Sequence, residues 1–425
     1  MENDLNDVRD SDSHVVVVGG GQAAAAVVRT LRAEGHRGGI AMLSAEGFGP
    51  YERPPLSKGI LLGTKAPADT VLLSADRLGE LEVAVHAGVA AQRIDRSNRL
   101  VYLDNGESIG YDKLVIATGG RPRQLELAGN ATDEIAYLRT IDDALALRER
   151  MKRAARVLVL GGGWIGLETA CCARELGLEV TLVEACTRLC ERTVPPVVSD
   201  ILLSRHRANG IDVRLATQIH SLELVAGGAL RAVVGTEELE FDLVVAGVGM
   251  VANDELAACA GLPCANGVLC DAVGRTVDPD IFVCGDVAAF THPAGPARPA
   301  RLESWDNAER QGAACAFALL GKEASYPGLP WFWSEQGDTN LQILGFPDAS
   351  RTPVTRLNGN QSIFFWLKEG FIDAAICVDA PAEMLVIKRL VQKRVRVDLA
   401  QLCDPSLSLK KLLQTMPATD VAASG

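Results

Sequence analysis

The stretch RVLVLGGGWIGLETACCARELGLEVTLVE, residues 156–184, decides how the chain folds. Residues 157–160 form an apolar run of the kind a buried strand needs, and Gly161, Gly163 and Gly166 then fill G-x-G-x-x-G ahead of a helical run. A second apolar strand at 180–183 ends on Glu184. The glycines let the turn close and bring backbone N–H groups to a pyrophosphate at the positive end of the helix, while an acid at the end of the next strand accepts hydrogen bonds from a ribose. A lone G-x-G-x-x-G is weak evidence, but here strand, glycines, helix, strand and acid come in order. That order describes a dinucleotide site rather than an ordinary Gly-rich turn.

The pattern occurs a second time near the N-terminus. An apolar strand at 14–18 runs into Gly19-Gly20-Gly21-Gln22-Ala23-Ala24 and an Ala-rich helix to about residue 34. Ala24 stands at the third glycine position, which serves close helix–strand packing and tolerates alanine. The next strand, 40–43, is followed by Ser44-Ala45-Glu46, so Glu46 is the expected partner of a second ribose. Two Rossmann units imply two dinucleotides, hence a hydride donor and an acceptor, and the obvious protein-bound acceptor is a flavin. VIATGGRPR (115–123) and DIFVCGDV (280–287) each read alone as strand-to-loop exits. Beside two Rossmann units they resemble the later segments by which flavoproteins of the glutathione-reductase-like superfamily close on FAD, with Asp286 on the ribityl chain.

The totals limit what else the chain can be. At 425 residues it is long enough for two or three domains, and 48% hydrophobic residues suit a well-filled soluble protein. No uncharged apolar run approaches the roughly 20 residues of a membrane helix. Residues 1–13 carry five acids and one arginine, the reverse of a secretory or mitochondrial leader, so a disordered tail and a cytoplasmic location are expected. A net charge of -12 argues against a nucleic-acid partner. Eleven cysteines with no C-x-x-C, none before Cys171, signal neither a disulfide framework nor a metal site. Cys186 and Cys190 form the one C-x-x-x-C pair.

The stretch PYERPPLSK, residues 50–58, chooses between flavoenzymes. Disulfide reductases place a redox cysteine beside the flavin, several of them at about this point, whereas this chain has Lys58, which alone would read as a solvated lysine at a helix start. With GGGWIGLE (161–168), ESW (303–305) and PWFWS (330–334), the stretch resembles the ferredoxin–NAD reductase components of aromatic-ring-hydroxylating dioxygenases. The phenylpropionate dioxygenase type is most similar, with putidaredoxin reductase and apoptosis-inducing factor more distant; the resemblance runs from about residue 14 to 413. It implies an α/β chain with two Rossmann-like nucleotide-binding domains and a small α+β C-terminal domain. It also implies that Lys58 lies near flavin N5 and pairs with Glu168, and that Gly19, Gly21, Ala23, Glu46, Arg53, Lys58, Ala91, Thr118, Gly119, Arg139, Asp286 and Trp305 contact FAD. A cation near N5 stabilises an anionic reduced ring, and a buried lysine and glutamate are tolerable only as a pair.

The implied domains are 14–125 with 251–329 for FAD, 126–250 for the nicotinamide and 330–425 for the tail. Gly161, Gly163, Ile165, Gly166, Glu168, Glu184, Arg192 and Gly249 would contact NAD. Glu184 favours NADH by accepting from its 2′-hydroxyl and repelling a 2′-phosphate, although Arg188 and Arg192 leave room for some NADPH. The Trp331–Trp333 pair is either core packing or, by the resemblance, a flavin-edge feature; Glu335 replaces a usual aspartate and Gly337 a common tyrosine. Lys388, Arg389, Lys393, Arg394 and Arg396 form a basic run that is either a solvated face or a docking patch for an acidic [2Fe–2S] ferredoxin, Rieske or plant type. The expected activity is therefore an FAD-dependent, NADH-driven ferredoxin reductase serving an oxygenase. A redox sensor resembling apoptosis-inducing factor is the alternative, a disulfide reductase lacks its cysteine, and a flavin monooxygenase would lack the second fingerprint. Oligomeric state is not legible.

Overall fold

The computed structural model describes residues 11–413. Val15–Val18 is buried along its whole length, and burying each such side chain contributes about 1.5–3 kcal/mol over leaving it exposed. It forms the centre of a parallel sheet in the order Ile281–Val283, Lys113–Ile116, Val15–Val18, Ile40–Ser44, Val83–Ala87. Burial on both faces is why these strands read as continuous apolar runs. Helix Gln22–Ala33 and helix Trp305–Leu319 share one core against this sheet. The opposite core gathers Val16, Val18, Leu114 and Ile116 with Ile94, Val101 and Leu103 from the antiparallel strands Ala91–Asp95 and Leu100–Leu103. This unit comprises 1–124, 137–149 and 248–327.

The second unit comprises 125–136, 150–247 and 328–425. Its nucleotide-binding part runs parallel in the order Asp212–Arg214, Glu179–Val183, Arg156–Leu160, Leu243–Ala246. Helices Trp164–Glu175 and Pro196–Ala208 belong to it, as does a three-stranded meander Ile219–Leu224, Leu230–Val234, Glu237–Phe241. The C-terminal segment is a five-stranded antiparallel sheet ordered Trp331–Gln336, Thr339–Gly345, Phe371–Val378, Gln361–Lys368, Val354–Asn358. Helices Pro381–Gln392, Leu399–Cys403 and Leu409–Leu412 close its core. Arg356 is buried there, and its guanidinium donates to the carbonyls of Leu402 (3.1 Å) and Asp404 (2.6 Å) and to that of Leu407.

The first unit takes in 137–149 and 248–250, which the sequence reading gives to the nicotinamide domain. Gly249, expected with the nicotinamide fold, lies in the first unit, where its carbonyl accepts from Arg123 N. Most of the tail read at 1–13 lies outside the described residues, but its last part is ordered. Ser13 is buried, and Ser11 O accepts from Arg37 N, because Gly38 lacks the Cβ that would strike Ser13 O at 2.1 Å.

Candidate dinucleotide and flavin sites

In the first unit, the backbone at Gly19 has φ +137 and passes so close to the next strand that a Cβ would sit 2.2 Å from Ala117 O. Only glycine fits there. At Gly21 a Cβ would meet nothing within 4 Å, and Gly21 caps helix Gln22–Ala33 without a side-chain hydrogen bond, so the helix N-terminus presents bare N–H groups to open space. Ala23 lies in the first turn of this helix, and a Cβ on Gly285, the residue before Asp286, would come within 2.9 Å of its own Cβ. Thr118 and Gly119 follow strand Lys113–Ile116; Thr118 Oγ1 donates to Asn253 O at 2.8 Å, and a Cβ on Gly119 would lie 3.1 Å from the Arg139 guanidinium. Ala91 opens its strand half-buried, and Trp305 is the first residue of helix Trp305–Leu319.

The charged residues converge. Arg53 donates to Glu46 Oε1 (2.6 Å) and to Arg139 O (2.5 Å), Tyr51 O–H donates to Glu46 Oε2, and Arg139 donates to Asp286 Oδ2 (3.1 Å). Burial would lower Arg53, but Tyr51 and Glu46 more than offset it. Burial, and then the charge of Arg53, hold Arg139 below the usual guanidinium range. Two neighbouring half-buried cations and, in the same unit, a bare helix N-terminus suit an anionic pyrophosphate. Gln311 adds a second sign of fit: its Oε1 accepts from Gly285 N at 2.9 Å, while its fully buried Nε2 has no hydrogen-bond partner among the described residues. Lys58 is half-buried and donates to Pro54 O at 3.1 Å. Tyr51 and Gln311 were not anticipated; the signal for Tyr51 was its i, i+2 spacing to Arg53.

In the second unit the fingerprint closes as its residues require. A Cβ on Gly166 would lie 2.0 Å from Gly161 O, and Gly161 has φ +102. Gly163 caps helix Trp164–Glu175 with no side-chain bond, and Ile165 beside it is exposed. Glu184 holds the loop: Oε2 accepts from Gly162 N (2.6 Å) and Oε1 from Cys186 N (2.7 Å). An ionised carboxylate has about four lone-pair sites, so Glu184 can still accept from a ribose hydroxyl beside these donors. Arg188 is committed to Val194 O, Glu191 O and Ser199 Oγ, whereas Arg192 is exposed. The thiol of Cys186 is pushed up to about 11 by its hydrogen bond to Glu184, and burial pushes Cys190 up further, so neither is poised as a thiolate.

Glu168, on the same helix, is buried and accepts from Ser334 Oγ at 2.6 Å. Trp331 and Trp333 stack at 4.9 Å, and Lys388 Nζ lies 3.3 Å from the centre of the Trp331 ring, which takes Lys388 out of the solvated basic run. Arg389, Lys393, Arg394 and Arg396 are exposed. Gly337 opens the two-residue turn between the first two strands of this sheet at φ +59, a conformation that favours glycine.

Comparison with known proteins agrees with this geometry. The pyridine nucleotide-disulphide oxidoreductase family matches residues 13–312 and the reductase C-terminal family residues 331–413. The chain is 38% identical over 403 residues to the anthranilate 1,2-dioxygenase system ferredoxin–NAD(+) reductase component of Burkholderia cepacia, covering 94% of this chain and 98% of that protein. It is 35% identical over 385 residues to the 3-phenylpropionate/cinnamic acid dioxygenase ferredoxin–NAD(+) reductase component of Photorhabdus laumondii, covering 90% and 97%. Among solved structures, the reductase in the covalent putidaredoxin reductase–putidaredoxin complex superposes with a TM-score of 0.89 at 33% identity, covering 96% of this chain and 99% of that one. The chain belongs to the pyridine nucleotide-disulphide oxidoreductase family, in its ferredoxin–NAD(+) reductase branch.

Proposed function

We propose that the protein is an NADH-dependent ferredoxin reductase that takes a hydride from NADH onto FAD and passes single electrons to an acidic [2Fe–2S] ferredoxin serving an oxygenase. The observation that carries this is the pairing of two dinucleotide cradles in a chain whose first cysteine is Cys171, so the stretch around Lys58 offers no thiol to receive the electrons. FAD, when bound, supplies a carrier that accepts two electrons together and releases them singly. The backbone at Gly19–Gly21 with Arg53 and Arg139 holds its pyrophosphate, Glu46 its ribose and Asp286 the ribityl chain, with Ala91, Thr118, Gly119 and Trp305 lining the remainder. Lys58 keeps the role the resemblance gives it, a cation beside the ring, and Glu168 that of a buried carboxylate in the nicotinamide fold. They act through charge and position and need not exchange protons with the substrate.

Gly161, Gly163 and Gly166 admit the NADH pyrophosphate, Glu184 binds the ribose, and the engagement of Arg188 leaves Arg192 as the auxiliary contact. The exposed arginines and Lys393 of the basic run steer the acidic partner. No helix among the described residues is long and apolar enough to cross a membrane. The test is stopped-flow reduction of the purified protein by NADH with candidate ferredoxins added. One FAD per chain, bleaching by NADH and cytochrome c reduction only with ferredoxin are expected. A colourless chain unable to take up flavin, or oxygen consumption coupled to substrate hydroxylation, would overturn the reading.

A further inference from the structure

One face of helix Trp164–Glu175 meets one face of strand Trp331–Gln336. Trp164, Glu168 and Cys171 stand at i, i+4 and i+7, and Phe332, Ser334 and Gln336 alternate along the strand, so each set shares a side of its element. Trp164 packs on Phe332 with ring centroids 5.0 Å apart, Glu168 meets Ser334, and Cys171 reaches Gln336 through His206 of helix Pro196–Ala208.

The hydrogen bonds along this contact run one way. Gln336 Nε2 donates to Ser334 Oγ at 3.1 Å, which leaves the Ser334 O–H to donate to Glu168 Oε1 at 2.6 Å. The amide oxygen of Gln336 lies 2.9 Å from His206 Nε2, which must therefore carry the proton, and His206 Nδ1 is left to accept from the Cys171 thiol at 3.5 Å. All five side chains are buried, Ser334 completely. A buried carboxylate needs donors, and a hydroxyl committed to it is a charge-assisted bond of the stronger class.

We propose that Ser334, held by Gln336 and His206, is a positioning residue for NADH oxidation: it fixes the orientation of the Glu168 carboxylate, so that the C-terminal segment takes part in the chemistry of the nicotinamide domain. This rests on Glu168 being a site residue, as argued above. Neither Ser334 nor Gln336 touches substrate; each acts through Glu168.

The test uses the FAD-loaded full chain and four variants: S334A, which deletes the donor; Q336E, of nearly the same volume, whose carboxylate draws the Ser334 hydroxyl away from Glu168; E168Q; and S334A/E168Q. Three quantities are read: the rate constant of flavin bleaching by saturating NADH, NAD+ affinity by calorimetry, and the carboxylate stretch in infrared difference spectra, assigned as the band lost in E168Q. S334A and Q336E should each slow bleaching by about ten- to a hundredfold and shift the Glu168 band, with NAD+ affinity changed by no more than about threefold. In the E168Q background S334A should add less than about twofold, because the two residues act as one unit. A slowed E168Q beside an S334A of wild-type rate and unshifted band would overturn the proposal alone, as would S334A and E168Q effects that multiply independently. E168Q at the wild-type rate would overturn the reading of Glu168 on which it stands.

Discussion

Glu184 makes the cofactor preference a quantitative matter. Its half-buried carboxylate already holds Gly162 N and Cys186 N, and the proposed function gives it the ribose of NADH as well. Replacing it with alanine removes charged acceptors for the ribose hydroxyls, a loss of about 1.5–3 kcal/mol, or roughly 10- to 150-fold in kcat/KM with NADH. The same change removes a repulsion against a 2′-phosphate. Two unit charges about 4 Å apart interact by about 4 kcal/mol at an effective dielectric of about 20, and halving this for solvent leaves about 2 kcal/mol, or roughly a thirtyfold gain with NADPH. E184A should therefore move the NADH-to-NADPH ratio of kcat/KM by at least about a hundredfold. The assay is initial-rate reduction of an artificial acceptor over a range of each nucleotide. Because Gly162 N and Cys186 N also lose their acceptor, E184A should melt a few degrees lower, and this is scored separately. If wild-type protein prefers NADPH, or if E184A depresses both nucleotides in the same proportion, Glu184 does not set the preference.

Gly19→Ala places a Cβ 2.2 Å from Ala117 O at φ +137, so the purified variant should carry less than about a tenth of the wild-type flavin absorbance. Charge reversal of the exposed Arg389 and Arg394 to glutamate should slow ferredoxin reduction by about tenfold at low salt, with the difference shrinking as salt rises and NADH-to-dye activity preserved; unchanged ferredoxin kinetics would put the docking face elsewhere. Burial holds His206 below its ordinary value, so below about pH 6.5 the unfolded chain binds a proton that the folded chain refuses. Wild-type stability should consequently fall as pH drops through that value, by up to about 1.4 kcal/mol per pH unit from this group, and urea unfolding of His206→Asn should lack that component. A wild-type-minus-variant difference that is flat from pH 8 to about pH 5 would exclude it.

Both nucleotide folds were legible because their signals are local: a strand, a turn that only glycine can make and a helix lie within about 30 residues of one another. Glu46, Arg53, Arg139 and Asp286, carried over from the resemblance, do come together. The sequence could not show that Arg53 and Tyr51 grip both oxygens of Glu46, since this depends on how the 50–58 stretch turns back on the second strand. Ser334 was invisible as a partner of Glu168 because 166 residues separate them and a serine in an aromatic strand carries no signal of its own. Lys388 misled for a related reason: a basic run looks uniformly solvated until the fold sets one of its members over Trp331.

The shared core of helices Gln22–Ala33 and Trp305–Leu319 sets a schedule for synthesis. Gln22 and Glu309, which bridge the two helices, are 287 residues apart. At about 5–20 residues per second a ribosome needs roughly a quarter of a minute to a minute to cover that gap. Throughout it, the nascent alanine- and valine-lined face of Gln22–Ala33 lacks its covering helix, and for most of it the sheet lacks its edge strand Ile281–Val283. Yield in a heterologous host should therefore respond to slower elongation and holdase chaperones more than to any surface substitution.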